Sequence, residues 1–253
     1  MPRGLPSFAR RSAIAVLDLV APPACGVCGR VLEDRGAAAP VCGECDADLE
    51  RFAGACCERC GEPLPPVALD TVGPDCPPCR GRSQGYDAVI ALGPYEGLLR
   101  RVVLEAKRPS GVAGLAAVAR LLARERGDAL RATGADAVVS IPPHWRRRIT
   151  SGADSAGVIA EAVRRHLGVR RLRPIARRRD TPRQRDVAPS RREANVRGAF
   201  APIGRPRLDG MTVLLTDDVL TTGATAGAAA RAIRKLGAAR VVAVVAARRV
   251  ARS

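Results

Sequence analysis

Aromatic side chains are nearly absent: three Phe, two Tyr and one Trp make up 2% of 253 residues. That scarcity excludes an extended platform on which successive bases of a single strand would stack. No apolar run approaches the roughly 18–20 residues that cross a bilayer, so no membrane insertion is expected. Arg10-Arg11 and the apolar Ala13–Leu17 resemble the start of a secretion signal, but Asp18 interrupts the run and no clean cleavage site follows. An amphipathic helix over residues 7–20 and a cytoplasmic location are the expectations. Acidic residues are also scarce, 25 against 42 Lys plus Arg, and the resulting net charge of +17 makes polyanions the natural partners. Any hold on nucleic acid should then be mainly electrostatic and salt-sensitive. Histidine occurs only at His144 and His166. His166 lies in a helical surface run and reads as structural. His144 stands beside Trp145 and Arg146–Arg148, where the indole either stacks an exposed base or anchors the following loop.

The nine cysteines are spaced as metal ligands rather than as a secreted disulfide framework. Cys25-x-x-Cys28 is followed after thirteen residues by Cys42-x-x-Cys45, and Cys57-x-x-Cys60 after fifteen by Cys76-x-x-Cys79. Each x-x spacing lets a tight knuckle present two sulfurs to one ion, and two knuckles complete the tetrahedron that structural zinc prefers. Two zinc ions are expected, with an exchange of knuckles between neighbouring sites left open. Redox chemistry and an iron–sulfur cluster are the weaker readings of the same pattern. Cys56 is the odd thiol, either free or a substitute for Cys57. A closed four-thiolate site leaves no coordination position for chemistry, so this module should scaffold or bind, and its folding should be coupled to its metal.

Chemistry is concentrated instead in Val213-Leu214-Leu215-Thr216-Asp217-Asp218-Val219-Leu220-Thr221-Thr222-Gly223-Ala224-Thr225. An apolar strand ends in two carboxylates, then in a small hydroxylated turn, and AGAAARAIRKLG continues as a helix stopped by Gly237. Unpaired N–H groups at a helix start, on the positive end of its dipole, suit a 5′-phosphate on Thr221, Thr222, Gly223, Ala224 and Thr225. Gly223 lets the backbone approach the phosphate. Asp217 and Asp218 are placed to accept hydrogen bonds from two ribose hydroxyls. The segment resembles the phosphoribosyl pyrophosphate (PRPP) loop of type I phosphoribosyltransferases, which implies PRPP as ligand with Mg2+ beside it.

From Tyr86 onward apolar strands alternate with helical stretches, as a parallel sheet covered by helices requires. Strands are expected over 87–92, 137–141, 172–175, 211–217 and 240–246, and helices over 95–106, 112–126, 152–167 and 224–236. In such sheets ligands sit off the carboxyl ends of the strands. The fold class is therefore α/β: a type I phosphoribosyltransferase-like parallel sheet flanked by helices, preceded by a small cysteine-rich module. The expected domains are a lead-in over 1–24, the double zinc module over 25–82 and the phosphoribosyltransferase-like domain over 83–253.

Further pieces recur in one family. Leu104-Glu105-Ala106-Lys107 with Gly111, Ser140-Ile141-Pro142-Pro143-His144, Gln184, Arg192 with Asn195-Val196, and Gly198-Ala199-Phe200, behind the double cysteine module, resemble the ComF family in the same order. The resemblance implies a zinc-ribbon phosphoribosyltransferase linked to DNA uptake in natural competence, with single-stranded DNA or a DNA-uptake helicase as partner. It also implies that Lys107 contacts pyrophosphate and that residues 183–195 close over the substrate. One segment departs from the pattern: Ser151-Gly152-Ala153-Asp154-Ser155 stands where relatives usually read Arg-Gly-Phe-Asn-Gln. Two functions follow. One is transfer of the phosphoribosyl group, with Asp217, Asp218 and Lys107 as the catalytic set. The other is a non-catalytic PRPP sensor or scaffold whose zinc module and basic surface engage DNA or a partner. A purely structural zinc protein ranks last, because it makes the loop match an accident.

Overall fold

A computed structural model describes residues 22–32, 40–64, 76–81, 83–143, 154–178 and 198–250. The expected helix over 7–20, His144 to Arg148, Ser151 to Ala153 and the segment 183–196 lie outside the described residues.

The strands are β1 (Ala88–Pro94), β2 (Ala137–Ser140), β3 (Arg170–Leu172), β4 (Ile175–Arg177), β5 (Phe200–Pro202), β6 (Thr212–Leu220) and β7 (Arg240–Arg248). Five of them form one sheet in the order β1-β7-β6-β2-β3, every pair parallel. The helices are α1 (Gly43–Asp48), α2 (Gly97–Glu105), α3 (Val112–Glu125), α4 (Gly127–Ala132), α5 (Ser155–Leu167) and α6 (Ala224–Arg234). This is the helix-flanked parallel sheet that the alternating pattern predicts, behind the cysteine module.

Both faces of the sheet are covered, so the buried stretches Val213–Leu215 and Val241–Ala247 of its central strands are apolar on both faces rather than alternating with polar residues. Val213, Leu215, Val241, Ala243 and Val245 face one buried cluster; Leu214, Val242, Val244 and Ala246, one residue out of phase, face the other. The first cluster is closed by α6, whose buried Ala226, Ala228, Ala229 and Ala230 let the helix lie close to the sheet. The second is closed by α2, α3, α4 and α5 through residues such as Leu99, Leu122, Leu130 and Ile159.

The expected strand over 172–175 is two strands. β3 stays in the main sheet, whereas β4 pairs antiparallel with β5. Arg173 and Pro174 break the run: proline has no N–H for a ladder and restricts the residue before it. At the other end of the loop, β6 runs three residues beyond the expected Asp217, because β7 extends beside it and pairs Leu220 with Arg248. Two short helices, α1 and α4, were not expected from the pattern, and each is only six residues long.

The first cysteine set is continuous with the main core. Cys25, Cys42, Cys45 and Leu49 are buried in the same cluster as Leu98, Leu99 and Leu115. Glu50, just past this set, receives the N–H groups of Leu98 and Leu99 on its two carboxylate oxygens at 3.2 Å each. A carboxylate from the cysteine module thus caps α2 where the helix dipole is positive. Gly97, at φ +43°, leaves room for it, since a Cβ there would lie 1.4 Å from Glu50 Oε1. Arg51 continues the seam with an ion pair to Glu125 at 2.9 Å and hydrogen bonds to the Asp46 and Leu49 carbonyls. Replacing Glu50 by alanine is expected to cost about 1 kcal/mol, within the range of cap substitutions. Thermal unfolding checks this; an unshifted midpoint would show that the cap contributes nothing.

Candidate functional site

Two separate features carry chemistry: the paired cysteine sets and the loop after β6. In each cysteine set the four sulfurs lie within 4.8 Å of one another: Cys25, Cys28, Cys42 and Cys45 in one, Cys57, Cys60, Cys76 and Cys79 in the other. The knuckles therefore pair in sequence order and do not exchange. Cys28 Sγ and Cys42 Sγ are 3.7 Å apart, and Cys60 Sγ and Cys76 Sγ 3.5 Å. Tetrahedral zinc with bonds of about 2.3 Å has sulfur–sulfur edges of about 3.8 Å, so the sets have the right size for it.

The two knuckles are built alike. Cys25 N donates to Arg30 O at 2.7 Å and Gly29 N to Cys25 O at 2.8 Å; Cys57 N donates to Glu62 O and Gly61 N to Cys57 O, both at 2.8 Å. The second pair of each set also donates a backbone bond to the first, Cys42 N to Cys25 Sγ and Cys76 N to Cys57 Sγ, both at 3.3 Å. Burial pushes the Cys25 thiol up, but the N–H groups of Cys42, Cys28 and Val27 more than offset it and bring it down to about 6. Cys57 is lowered against its burial by the equivalent donors from Cys76, Cys60 and Arg59. Each set thus has a thiol biased toward thiolate, the form that captures metal. Cys56 stands outside the set: it bridges Pro63, and its half-buried thiol faces the Gly54 carbonyl at 3.8 Å.

The loop after β6 joins strand to helix within three residues. Asp217 and Asp218 are the sixth and seventh residues of β6, Thr221 to Gly223 make the turn, and α6 begins at Ala224. Gly223 is the N-cap at φ +78°, a conformation that side chains other than glycine's rarely adopt. It is also tightly backed, because a Cβ there would lie 2.4 Å from the hydroxyl of buried Tyr86.

Lys107 follows α2 and reaches across the sheet end, so that its Nζ donates to Asp218 Oδ2. Residues 111 positions apart in sequence are thereby joined at one strand end. Burial pushes the Asp217 carboxyl up to about 7, with the neighbouring Asp218 charge adding to the rise. The Asp218 N–H, Lys107 and Arg177 pull it back only partly. Desolvation disfavours the Lys107 charge, yet the carboxylates of Asp218 and Asp217 hold its pKa above the ordinary value. An acid pair carrying an extra proton near neutral pH, with a lysine already on it, can exchange both partners for a polyhydroxylated, multiply charged ligand.

Several residues around this site escape a reading along the chain. Arg177 sends its charge toward Asp217 from β4, with its guanidinium 5.7 Å over the Phe200 ring. Thr216, the one buried polar side chain of the described core, donates to the Ala156 carbonyl at 2.8 Å and ties β6 to the start of α5. Asp154 caps α5 by accepting from Gly157 N at 2.9 Å and faces Arg171 at 3.4 Å. So the one described residue of the departing segment that precedes the helix, Asp154, serves as its cap. His166 sits in the last turn of α5 with Nε2 2.9 Å from Arg131 Nη1, a structural contact as expected.

Residues 16–80 match the double zinc ribbon domain, and residues 156–253 match the phosphoribosyl transferase domain. The tetrads and the ribbon match together support structural zinc. Competence protein F of Haemophilus influenzae is 25% identical over 203 residues, covering 78% of this chain and 80% of that protein. The DNA utilization protein YhgH of Salmonella typhimurium is 30% identical over 211 residues, covering 79% of this chain and 87% of that protein. The chain belongs to the ComF family. Among solved structures, a glutamine PRPP amidotransferase from B. subtilis, complexed with ADP and GMP, superposes on 56% of this ComF chain and 30% of its own. The TM-score of that superposition is 0.36 and the identity 20%. None of the helices described for this ComF family member is long and apolar enough to cross a membrane.

Proposed function

We propose that the loop from Thr221 to Thr225 binds the 5′-phosphate of PRPP, and that Asp217 and Asp218 accept the two ribose hydroxyls. The observation that carries this reading is the junction itself: two carboxylates at the carboxyl end of β6, then a left-handed Gly223 that opens α6. Lys107, which holds Asp218 when no ligand is bound, turns to the pyrophosphate. Mg2+, held with the ligand beside Asp217 and Asp218, would supply positive charge that offsets the charge of a departing pyrophosphate. The chain's own share is positioning the ribose and stabilising charge as the anomeric bond weakens. The tetrads hold one structural zinc each, the ribbon module spans residues 25–82 and the ligand-binding domain residues 83–253. A cytoplasmic location and a role in DNA uptake or processing complete the reading, supported by the names of the relatives and the net charge of +17.

The same charge favours one alternative, a PRPP-sensing scaffold that engages single-stranded DNA or a DNA-uptake helicase partner without turnover. Pyrophosphate release that depends on an added acceptor separates the enzyme from the scaffold. Retardation of single-stranded DNA that fades steeply with salt supports the scaffold.

Calorimetric titration with PRPP and Mg2+ tests the site, and its pH dependence tests Asp217. The free acid pair keeps a proton below about 7, whereas the complex needs the carboxylate ionised. Binding should therefore release a proton below that value, strengthen as pH rises through it, and level off above. The sugar phosphate itself titrates near about 6, so the slope left in Asp217→Asn measures the ligand's own share. No binding at any pH would sink the reading, and an unchanged slope in Asp217→Asn would remove Asp217 from it.

A further inference from the structure

Arg248 joins the second cysteine set to the loop after β6. Arg248 ends β7, and its side chain is only 12% exposed. Its Nε donates to the Cys60 carbonyl at 2.6 Å and its Nη2 to Glu62 Oε2 at 3.1 Å. Its Nη1 donates to the Thr221 carbonyl at 2.5 Å and to the Leu220 carbonyl at 3.3 Å. One planar guanidinium thus holds the end of a metal knuckle and the entry of the loop, a fork that lysine cannot reproduce.

A second connection runs beside it. Gln84 Nε2 donates to Cys79 Sγ at 3.7 Å, and the Gln84 carbonyl would lie 2.2 Å from a Cβ on Gly227 in the first turn of α6. Tyr86, two residues on, backs Gly223. The first cysteine set is placed differently, inside the apolar cluster with Leu98, Leu99 and Leu115.

The consequence for the loop follows from peptide geometry. A trans peptide is planar, and its C=O and N–H point in opposite directions. The Leu220 carbonyl, which also accepts from Arg249 N at 2.9 Å, and the Thr221 carbonyl, held by the Arg248 side chain, together turn the N–H groups of Thr221 and Thr222 away from Arg248. Convergent N–H groups fixed before binding are what an anion needs at a helix start. We infer that Arg248 is a positioning residue through which the metal-ordered Cys57–Cys60–Cys76–Cys79 knuckle sets the affinity of the phosphate loop. The inference rests on the PRPP reading above for its ligand, but its structural half concerns the loop alone.

The test is a double-mutant cycle of Arg248→Met and Cys60→Ser on the full, zinc-supplied chain. Arg248→Met keeps the aliphatic stem and should retain both zinc ions, yet weaken PRPP on the order of tenfold, a usual size for coupling between sites. Amide exchange over residues 221–227 should quicken in the same variant. Cys60→Ser should lose one zinc and produce the same two effects, and the double variant should add little to either single change, since both break one path. Where Arg248→Met does not fold, Arg248→Lys takes its place, with a smaller loss of the same kind. Multiplying effects, or loop exchange unchanged by Cys60→Ser, would overturn the inference. Should the parent chain not bind PRPP, the previous reading falls, and loop exchange in the same four proteins still decides the coupling.

Discussion

Asp217→Asn/Asp218→Asn is expected to bind PRPP with Mg2+ at least a hundredfold more weakly than the parent chain, while melting at the same temperature or slightly higher. The loss of binding follows from charge. A hydrogen bond to an ionised acceptor contributes about 1.5–3 kcal/mol and a neutral one about 0.5–1.5. Weakening two of them by about 1.4 kcal/mol each is a hundredfold in affinity, before any loss of attraction for the cation. The retained stability follows from the same residues. The two local bonds, Asp218 N to Asp217 Oδ1 at 2.9 Å and Val219 N to Asp218 Oδ1 at 2.8 Å, can both be accepted by an amide oxygen. The ion pair from Lys107 to Asp218 is lost, but Lys107 is half-exposed, and such pairs contribute about 0–1 kcal/mol.

Against that small loss stands the raised Asp217. A carboxyl whose pKa is higher folded than unfolded binds more protons in the native state, so its ionisation lowers stability as pH rises from its ordinary range to about 7. Asparagine removes that penalty, and the gain over the parent should be visible at pH 8 and absent at pH 4. Isothermal calorimetry and thermal unfolding on the same samples check both halves. Affinity retained by the double variant would take the ribose from this acid pair.

How much of this was legible along the chain depends on whether the signal is local. Strand, acid pair, turn and helix occupy thirteen consecutive residues, and each step of that order has its own physical cause, so the loop could be read before any fold was in hand. The cysteine knuckles were legible for the same reason, whereas the choice between Cys56 and Cys57 was not: only the folded chain brings the Cys57 sulfur, rather than that of Cys56, to Cys60, Cys76 and Cys79. Strand ends were not, because partners decide them. β6 extends through its carboxylates only because β7 runs alongside to Arg248, and the expected strand over 172–175 divides because Pro174 cannot continue a ladder.

Arg248 left no trace in the sequence at all. It closes β7 beside another arginine, Arg249, and its partner Cys60 lies 188 residues away. Tyr86 and Gln84 were invisible in the same way, since nothing in their neighbours marks them as the backing of a loop at Gly223. Residues that bind a ligand advertise themselves through type and spacing. Those that hold the binding residues in place show only when the chain is folded.

The largest structural effect should come from the first cysteine set. Cys45→Ser is expected to bind one zinc fewer and to lower the main melting transition by at least ~10 °C, whereas Cys76→Ser should also lose one zinc and move that transition by a few degrees at most. Ligand count is the same in both, so the difference has to come from what each set is packed against. Cys25, Cys42 and Cys45 are buried among Leu98, Leu99 and Leu115, and Glu50 just beyond them caps α2. Releasing that ion frees a segment packed among the leucines of that cluster and bonded to the start of α2. Zinc in a small four-ligand site contributes on the order of 10 kcal/mol, comparable to the whole stability of an ordinary domain at about 5–15 kcal/mol. Forfeiting even half of it at the first set would shift the transition by more than ~10 °C at roughly 2–4 °C per kcal/mol. Among the described residues, the second set has Leu64 alone packed on its buried thiols, and it meets the sheet through polar bonds such as that of Arg248. Its opening is therefore local, felt at the loop after β6 before it is felt by the core. Metal analysis and calorimetric melting of the two variants decide the matter: equal shifts would mean that the two ribbons stabilise the fold alike, and that burial of the first among the leucines confers no special dependence on its metal.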